Sequence, residues 1–397
     1  MTQNRLITPE GTKDYLFEEA VLRRNIENKL RDAFAFRGYH EVVTPALEFL
    51  DVFTTSENGM PIEQMYKLSD AKGRLMVLRP DSTMPIARLC ATRLKNEKLP
   101  LRLYYNQPVY SVTPSLRGRS DEMLQSGIEL IGAMSQKSDI EVLVTAAKAL
   151  QALGIENFRI ELGHIGIFNA LVGALKISKE TGEVVRQLIE NKNYPALNDL
   201  LDEMENKEAA GVMKMLPRLF GGREVFQKAK KLIQNTDVIG ILDYLEQLYG
   251  ALSQLGLSDK ITVDLGIVNR TEYYTGIVFK GYVEGFGEEV LSGGRYDGLL
   301  KEFGEDTGAI GFAVNIDAAA KALLKTQTPE LPQAAVLVYS DWAYEVKALE
   351  HVAKLAELKI MAEYSLCDSL EDALEDAKAR KIRRLDVVTD EVKTIEL

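Results

Sequence analysis

Side chains that bind metals or form covalent bridges are scarce in this chain, with two cysteines, three histidines and one tryptophan among 397 residues. Cys90 and Cys367 lie far apart and form no C-x-x-C pair, which argues against a disulfide framework or a cysteine zinc site. His40, His164 and His351 are equally dispersed and read as ordinary surface or core residues, so no metal site is expected. Long hydrophobic runs are missing too. No apolar stretch is long enough to span a bilayer, and the opening MTQNRLITPEGTKDYL has no apolar signal core, so a cytoplasmic protein without a membrane partner is expected. Positive charge is in deficit, with 48 Lys and Arg against 59 Asp and Glu and a formal net charge of −11. Neutralising phosphates needs clustered cations, so this balance argues against a large nucleic-acid footprint, and no nucleic-acid partner is expected.

What is present is enough apolar material, 46% of residues, for two or three domains with substantial cores. Leu22, Ile26, Leu30, Ala33 and Phe34 recur at helical spacing and predict a helix over 17–36, stopped by Gly38. The segment 39–45 predicts a short strand ending at Pro45, and 81–94 a second helix. Two apolar strands, 102–110 and 123–131, flank a loop rich in Ser, Arg and Gly. A helix over 139–153 and a strand over 158–162 come next. From about 168 to 257 short amphipathic helices predict a helical insertion. Strands are expected again at 261–264, 274–283 and 289–291, and 326–332 (TQTPELP) reads as a linker. The tail alternates strand (336–339), helix (343–358), strand (359–364), helix (369–381) and strand (385–388), a pattern that predicts a small parallel α/β domain.

Several short motifs follow one another in a telling order. Leu78-Arg-Pro-Asp-Ser-Thr83 precedes the hairpin. The outgoing hairpin strand ends Tyr110-Ser111-Val112-Thr113, and the returning strand carries Gln125, Gly127 and Glu129. Asn269-Arg-Thr-Glu-Tyr-Tyr274, Gly293-Gly-Arg-Tyr-Asp-Gly-Leu299 and Gly311-Phe-Ala-Val-Asn-Ile-Asp-Ala-Ala319 complete the set. Each match is moderately specific. Their joint order over residues 8–325 resembles the histidyl-tRNA synthetases of class II. That resemblance implies an α+β fold: an antiparallel sheet flanked by helices, with a helical insertion and a small C-terminal α/β domain. It also implies that 311–319 belongs to a helix.

The resemblance implies a histidine pocket built from Asp81, Thr83, Gln125, Glu129, Tyr273 and Tyr274. The chemistry is coherent: an α-ammonium needs oxygen acceptors, which Asp81, Thr83 and Gln125 supply, and an imidazole needs a partner at each nitrogen, which Glu129 and a tyrosine hydroxyl supply. On alternating strand positions, one of the two tyrosines should face the pocket and the other the core.

The phosphate-handling side departs from the family. Its two signature arginines fall on Ser111 and Ala318, and the arginine beside the reacting carboxylate falls on Asn269. Adenylate formation depends on preorganised cations, and losing one such donor costs about 10²–10³ in rate. Three losses together predict the absence of aminoacylation. Arg117 and Arg119 in the hairpin loop, and Arg270 beside Asn269, read as surface charges.

Retained pocket, lost clamps and a C-terminal segment shorter than an anticodon-binding domain together resemble the ATP phosphoribosyltransferase regulatory subunits. This resemblance covers essentially the whole chain. It implies a non-catalytic chain that dimerises through a synthetase-like core (1–325), joined by a linker (326–332) to a C-terminal domain (333–397). The catalytic, short-form subunit would be its partner in the first step of histidine biosynthesis, with L-histidine as effector. No cofactor is expected in this chain, since ATP, phosphoribosyl diphosphate and magnesium would belong to that partner. Two other readings stay open: a divergent active histidyl-tRNA synthetase, and a ligand-free scaffold for the catalytic subunit.

Overall fold

The computed structural model describes residues 6–54, 61–112, 120–268, 273–327 and 329–397. Asn269, Arg270, Arg117 and Arg119 lie outside the described residues. The chain divides into two compact units, Met1–Thr328 and Pro329–Leu397.

The first unit opens with α1 (Phe17–Ala35), whose Leu22, Ile26, Leu30 and Phe34 are buried. Gly38, at φ +81°, turns the chain into β1 (His40–Glu41). A small antiparallel sheet follows from β2 (Leu47–Phe49), β3 (Lys67–Ser69) and β4 (Leu75–Leu78), in the order β2-β4-β3. Then come α2 (Thr83–Thr92) and the long hairpin of β5 (Leu101–Tyr110) and β6 (Glu122–Ile131). The helix α3 (Gln136–Ala152) and strand β7 (Phe158–His164) lead into the helical insertion.

That insertion comprises α4 (Ile165–Leu175), α5 (Lys179–Glu190), α6 (Tyr194–Asp202), α7 (Lys207–Met215), a two-residue β8 (Phe220–Gly221), α8 (Glu224–Leu232) and α9 (Thr236–Gln254). Asparagines cap α6, α7 and α9, each side-chain oxygen taking backbone N–H groups that the first helical turn leaves unpaired. The main sheet is completed by β9 (Ile261–Asp264), β10 (Ile277–Val283), β11 (Glu289–Arg295) and, after the short α10 (Leu299–Glu302), β12 (Ala309–Asn315). The last element is α11 (Ile316–Leu324).

The main sheet has nine strands in the order β1-β5-β6-β12-β11-β10-β7-β9-β8. Its central pairs are antiparallel, while β1–β5 and β7–β9 are parallel. The resemblance implies an antiparallel sheet with flanking helices; the observed sheet has that arrangement and is mixed through its two parallel pairings. One face packs on α1, α3, α9 and α11 in the larger core, which includes Phe34, Leu143, Leu150, Phe279 and Phe312. The other face packs its β5, β6 and β12 end on α2 and the small sheet, around Phe53, Met65, Val77, Ile86 and Tyr105.

Two expectations change here. Gly311–Asn315 is strand, and the helix begins only at Ile316. Gly311 pairs with both Glu129 and Gly294 across the ladder, and the sheet's hydrogen bonds outweigh the pull of the alanine-rich run behind it. Similarly, β10 starts at Ile277 rather than at Tyr274, which leaves Tyr273 and Tyr274 on the approach to the strand.

The second unit has β13 (Val336–Ser340), α12 (Glu345–Glu357), β14 (Ala362–Tyr364), α13 (Leu370–Ala379), β15 (Arg384–Val388) and β16 (Val392–Glu396). The sheet order is β14-β13-β15-β16, and the first two pairings are parallel. The fourth strand, β16, is absent from the sequence-based expectation. Its charged, exposed pattern hides the strand period because it lies at an edge, antiparallel to β15.

Candidate functional site

Glu129 is the centre of the site. It sits on β6 with only 2% of its surface exposed, between Leu103 of β5 and Gly311 of β12. Glycine is required at three neighbouring points. A Cβ at Gly311 would collide with the Glu129 carboxylate, and one at Gly294 would stand 2.7 Å from the Tyr274 ring. A Cβ at Gly127 would lie 2.6 Å from the Tyr105 hydroxyl. The spaced glycines of the sequence motifs therefore make the floor on which four tyrosines and two carboxylates converge.

The carboxylate of Glu129 accepts two hydroxyl hydrogen bonds. Thr83 Oγ1 donates to Oε1 at 2.8 Å, and the Tyr296 hydroxyl donates to Oε2. Asp81 stands at the start of α2, where its Oδ1 accepts the Met84 N–H at 2.9 Å. Tyr273 packs edge-on against Tyr274 (centroids 5.1 Å apart) and against Tyr296 (5.6 Å). Both Tyr273 and Tyr274 feel the charges of Asp81 and Glu129, so both belong to the site. Neither tyrosine lies within the strand; Tyr273 packs on the pocket-side cluster alone, whereas Tyr274 packs on the larger core as well.

The electrostatics are unusual for two acids. Burial pushes the Glu129 carboxyl up to about 7, against the opposing pull of the Tyr296 and Thr83 hydrogen bonds, and the nearby Asp81 adds to the rise. Burial likewise pushes Asp81 up to about 6, despite backbone hydrogen bonds that favour its charged form. Among the described residues, no arginine or lysine shifts either carboxyl. The surrounding hydroxyls of Tyr105, Tyr273, Tyr274 and Tyr296 are all raised, chiefly by burial, and remain neutral donors. Two desolvated carboxyls without a cation among the described residues make a site suited to a small molecule that brings its own positive charge.

The structure thus gathers Asp81, Thr83, Glu129, Tyr273 and Tyr274. Gln125 shares the pocket face of β6 but sits four residues away, about 13 Å along the strand, and its Nε2 lies 3.8 Å from the Met123 sulfur. Sequence reasoning missed Tyr105 and Tyr296 as site residues. Tyr296 lies inside the Gly293–Leu299 motif, and Tyr105 could have been found from its register opposite Gly127.

Ser111 and Ala318, the described positions that the resemblance gives to phosphate handling, carry no charged side chain. The Ser111 N–H donates to the Asp121 carbonyl at 2.8 Å, and the buried Asp121 accepts the Tyr66 hydroxyl at 2.7 Å. Ala318 is 1% exposed in the larger core, and its N–H is capped by Asn315 Oδ1 at 3.0 Å. Arg79, from the Leu78–Thr83 motif, is buried and occupied by the Thr44 carbonyl at 2.6 Å and the Pro108 carbonyl at 2.7 Å. Among the described residues, no group of three or more His, Cys, Asp or Glu side chains could hold a metal ion, and no helix is long and apolar enough to cross a membrane.

Sheet, hairpin and tyrosine-lined floor define a histidyl-tRNA synthetase-like protein, and the family model "Histidyl-tRNA synthetase" matches residues 11–319. A solved structure described as an ATP phosphoribosyltransferase regulatory subunit/histidyl-tRNA synthetase from Bacillus halodurans superposes with a TM-score of 0.83 at 30% identity, covering 94% of this chain and 96% of that one. A histidyl-tRNA synthetase from Nostoc shares the fold at a TM-score of 0.79, with 21% identity over 98% of this chain and 97% of its own. Curated relatives are more specific. The ATP phosphoribosyltransferase regulatory subunit of Clostridium kluyveri is 40% identical over 98% of this chain and 100% of its own length. That of Clostridium botulinum is 41% identical over 94% and 90%. The chain belongs to the family of ATP phosphoribosyltransferase regulatory subunits.

Proposed function

We propose that this chain is a non-catalytic regulatory subunit that binds L-histidine in the Asp81–Glu129 pocket and transmits its presence to a catalytic ATP phosphoribosyltransferase chain. The observation that carries this reading is the contrast between the two ends of the site. At one end the buried Glu129, the half-buried Asp81 and four tyrosine hydroxyls converge without a cation among the described residues. At the other, Ser111 and Ala318 supply no charge to a triphosphate.

Histidine fits the first end chemically. Its imidazole meets Glu129 and a tyrosine hydroxyl, while its α-ammonium is drawn towards Asp81 and Thr83, with Gln125 further out on the same face. The transferase chemistry and its ATP, phosphoribosyl diphosphate and magnesium belong to the partner. Regulation requires histidine to bind one state of the assembly better than another, since equal affinity for both shifts nothing.

A homodimer through the core is part of the same proposal, and the outer face of the small sheet supports it. Phe49, Met76 and Leu68 align across that sheet, and Leu47, Phe49 and Leu68 are each more than 40% exposed.

Calorimetric titration of the full chain with histidine, alone and with the catalytic subunit, tests the pocket. Saturable binding that Glu129→Ala abolishes supports it; binding and feedback inhibition unchanged in that variant would sink it. Pyrophosphate exchange with histidine and ATP tests the other half, since appreciable exchange by the purified chain restores the synthetase reading. No binding by the intact complex would leave only the scaffold reading.

A further inference from the structure

The second unit carries an apolar stripe that the fold leaves uncovered. Trp342, the only tryptophan in the chain, is 86% exposed in a short 3₁₀ turn just before α12. Val346 is 72% and Leu349 52% exposed, and Ala353 and Ala356 continue the line as exposed residues. Along α12 the steps from 346 to 356 are 3, 4 and 3 residues, the spacing of a coiled-coil seam, with Trp342 in the turn that precedes it. This is not the helix's own core face. Ala348 and Leu355 are buried, with Val352 packed beside them, and at 100° per residue they lie about a third of a turn away from the stripe. The helix therefore has two apolar faces, and the small domain uses one.

The charges beside the stripe decide what can cover it. Glu350 and Glu357 border it on one side and Glu345 on the other, in the positions that flank a coiled-coil seam. Lys347 and Lys354 lie further round, and Lys347 is paired with Asp390 at 2.9 Å. A second copy of this helix would set glutamate against glutamate whether it packed parallel or antiparallel, which is unfavourable. A helix with an apolar seam bordered by lysine or arginine meets both requirements.

We infer that the Trp342–Ala356 stripe is a docking surface for a basic-flanked amphipathic helix of a different chain. Resting on the proposed regulatory role, the structure assigns that helix to the catalytic ATP phosphoribosyltransferase subunit. Tryptophan at one end of a shallow aliphatic line is the kind of anchor that dominates binding energy at interfaces. The stripe supplies that anchor, and the rest of a stable interface, about 800 Å² on each partner, forms around it.

The test uses the purified full-length chain and the full-length catalytic subunit, with affinity measured by calorimetry and assembly by sedimentation. Trp342→Ala is expected to weaken the complex about tenfold or more, and Val346→Glu about a hundredfold, with circular dichroism, Tm and self-association unchanged. Replacing Glu345, Glu350 and Glu357 together by lysine should weaken the complex and flatten its salt dependence. Wild-type binding with all these variants equally tight overturns the inference while leaving the regulatory role standing. Loss of self-association in Val346→Glu, with heterologous binding intact, makes the occupant a second copy and also overturns it. A buried-type tryptophan emission spectrum from the free chain would mean the stripe is covered by its own polypeptide, with the same consequence. Failure of the wild-type chains to associate at all brings down the regulatory role and this inference together.

Discussion

Arg295 and Tyr296 are neighbours in sequence that serve opposite faces of one sheet, and the two carboxylates they meet are treated in opposite ways. On the helix-packed face, Asp139 is 2% exposed and accepts both Nε (2.9 Å) and Nη2 of Arg295, together with the Tyr244 hydroxyl. The same guanidinium donates to Ser138 Oγ at 2.7 Å and to the Ala133 carbonyl at 2.9 Å. On the pocket face, Glu129 is as deeply buried but among the described residues has only hydroxyl donors, from Thr83 and Tyr296. A buried charge with its cation supplied by the fold is structural. One stabilised by neutral donors, beside a second such acid, lacks that counter-charge among the described residues and is open to one carried by the proposed ligand.

Breaking the structural pair should have the largest effect. Asp139→Ala leaves the buried Arg295 guanidinium only the half-exposed Asp297, at 3.1 Å, as a carboxylate partner among the described residues, and is expected to destabilise the chain by about 3 kcal/mol, read from denaturant unfolding. An unfolding midpoint close to wild type would remove the distinction between the two acids. Glu129→Gln should do the reverse. Near pH 8 its Tm is expected to equal or exceed that of the wild type, while histidine affinity drops about thirtyfold or more, because a charge-assisted bond becomes a neutral one. A destabilised Glu129→Gln that still binds histidine would invert the comparison.

Proton linkage gives a finer test. Asp81 and Glu129 have folded-state values raised to about 6 and about 7, so the folded chain holds protons that the unfolded chain has released. Their contribution to stability is full below the ordinary carboxylate range and is lost as pH rises through 6 and 7. A cationic ligand favours the ionised forms. Histidine binding near pH 6.5 is therefore expected to release protons, seen as a binding enthalpy that changes with buffer ionisation heat, and to tighten between pH 5.5 and 7.5. In Glu129→Gln most of that proton release should vanish. The smallest effect is expected at Ser111, where Ser111→Ala should leave histidine affinity within about twofold, since Ser111 donates its backbone N–H to the Asp121 carbonyl and that bond survives the substitution. A large loss in Ser111→Ala would extend the ligand site into the region read as abandoned.

Much of the architecture was legible because periodicity reports burial. The stripe Leu22, Ile26, Leu30 and Phe34 marks α1, and the apolar runs at 101–110 and 122–131 mark the hairpin. The elements missed or shifted are those whose form depends on a distant partner. Gly311–Asn315 is held as strand by β6 and β11, and β16 by β15 alone. In the site, the motif residues Asp81, Thr83, Glu129, Tyr273 and Tyr274 were legible through resemblance. Tyr105 and Tyr296 were not, since only cross-strand register brings them over Gly127 and Glu129.

By itself the sequence determined which charges exist: carboxyls and hydroxyls at 81, 83 and 129, no arginine at 111 or 318, and an apolar line at 342–356 bordered by glutamates. It also determined the helices and strands whose burial pattern is local. Only the tertiary structure decided which of those groups lost their water and which found a counter-charge. Arg295 could have neutralised Glu129 as readily as Asp139 by composition, but the strand's alternation points it to the other face. Burial and pairing depend on register across strands far apart in the chain. That register leaves the pocket without a cation among the described residues.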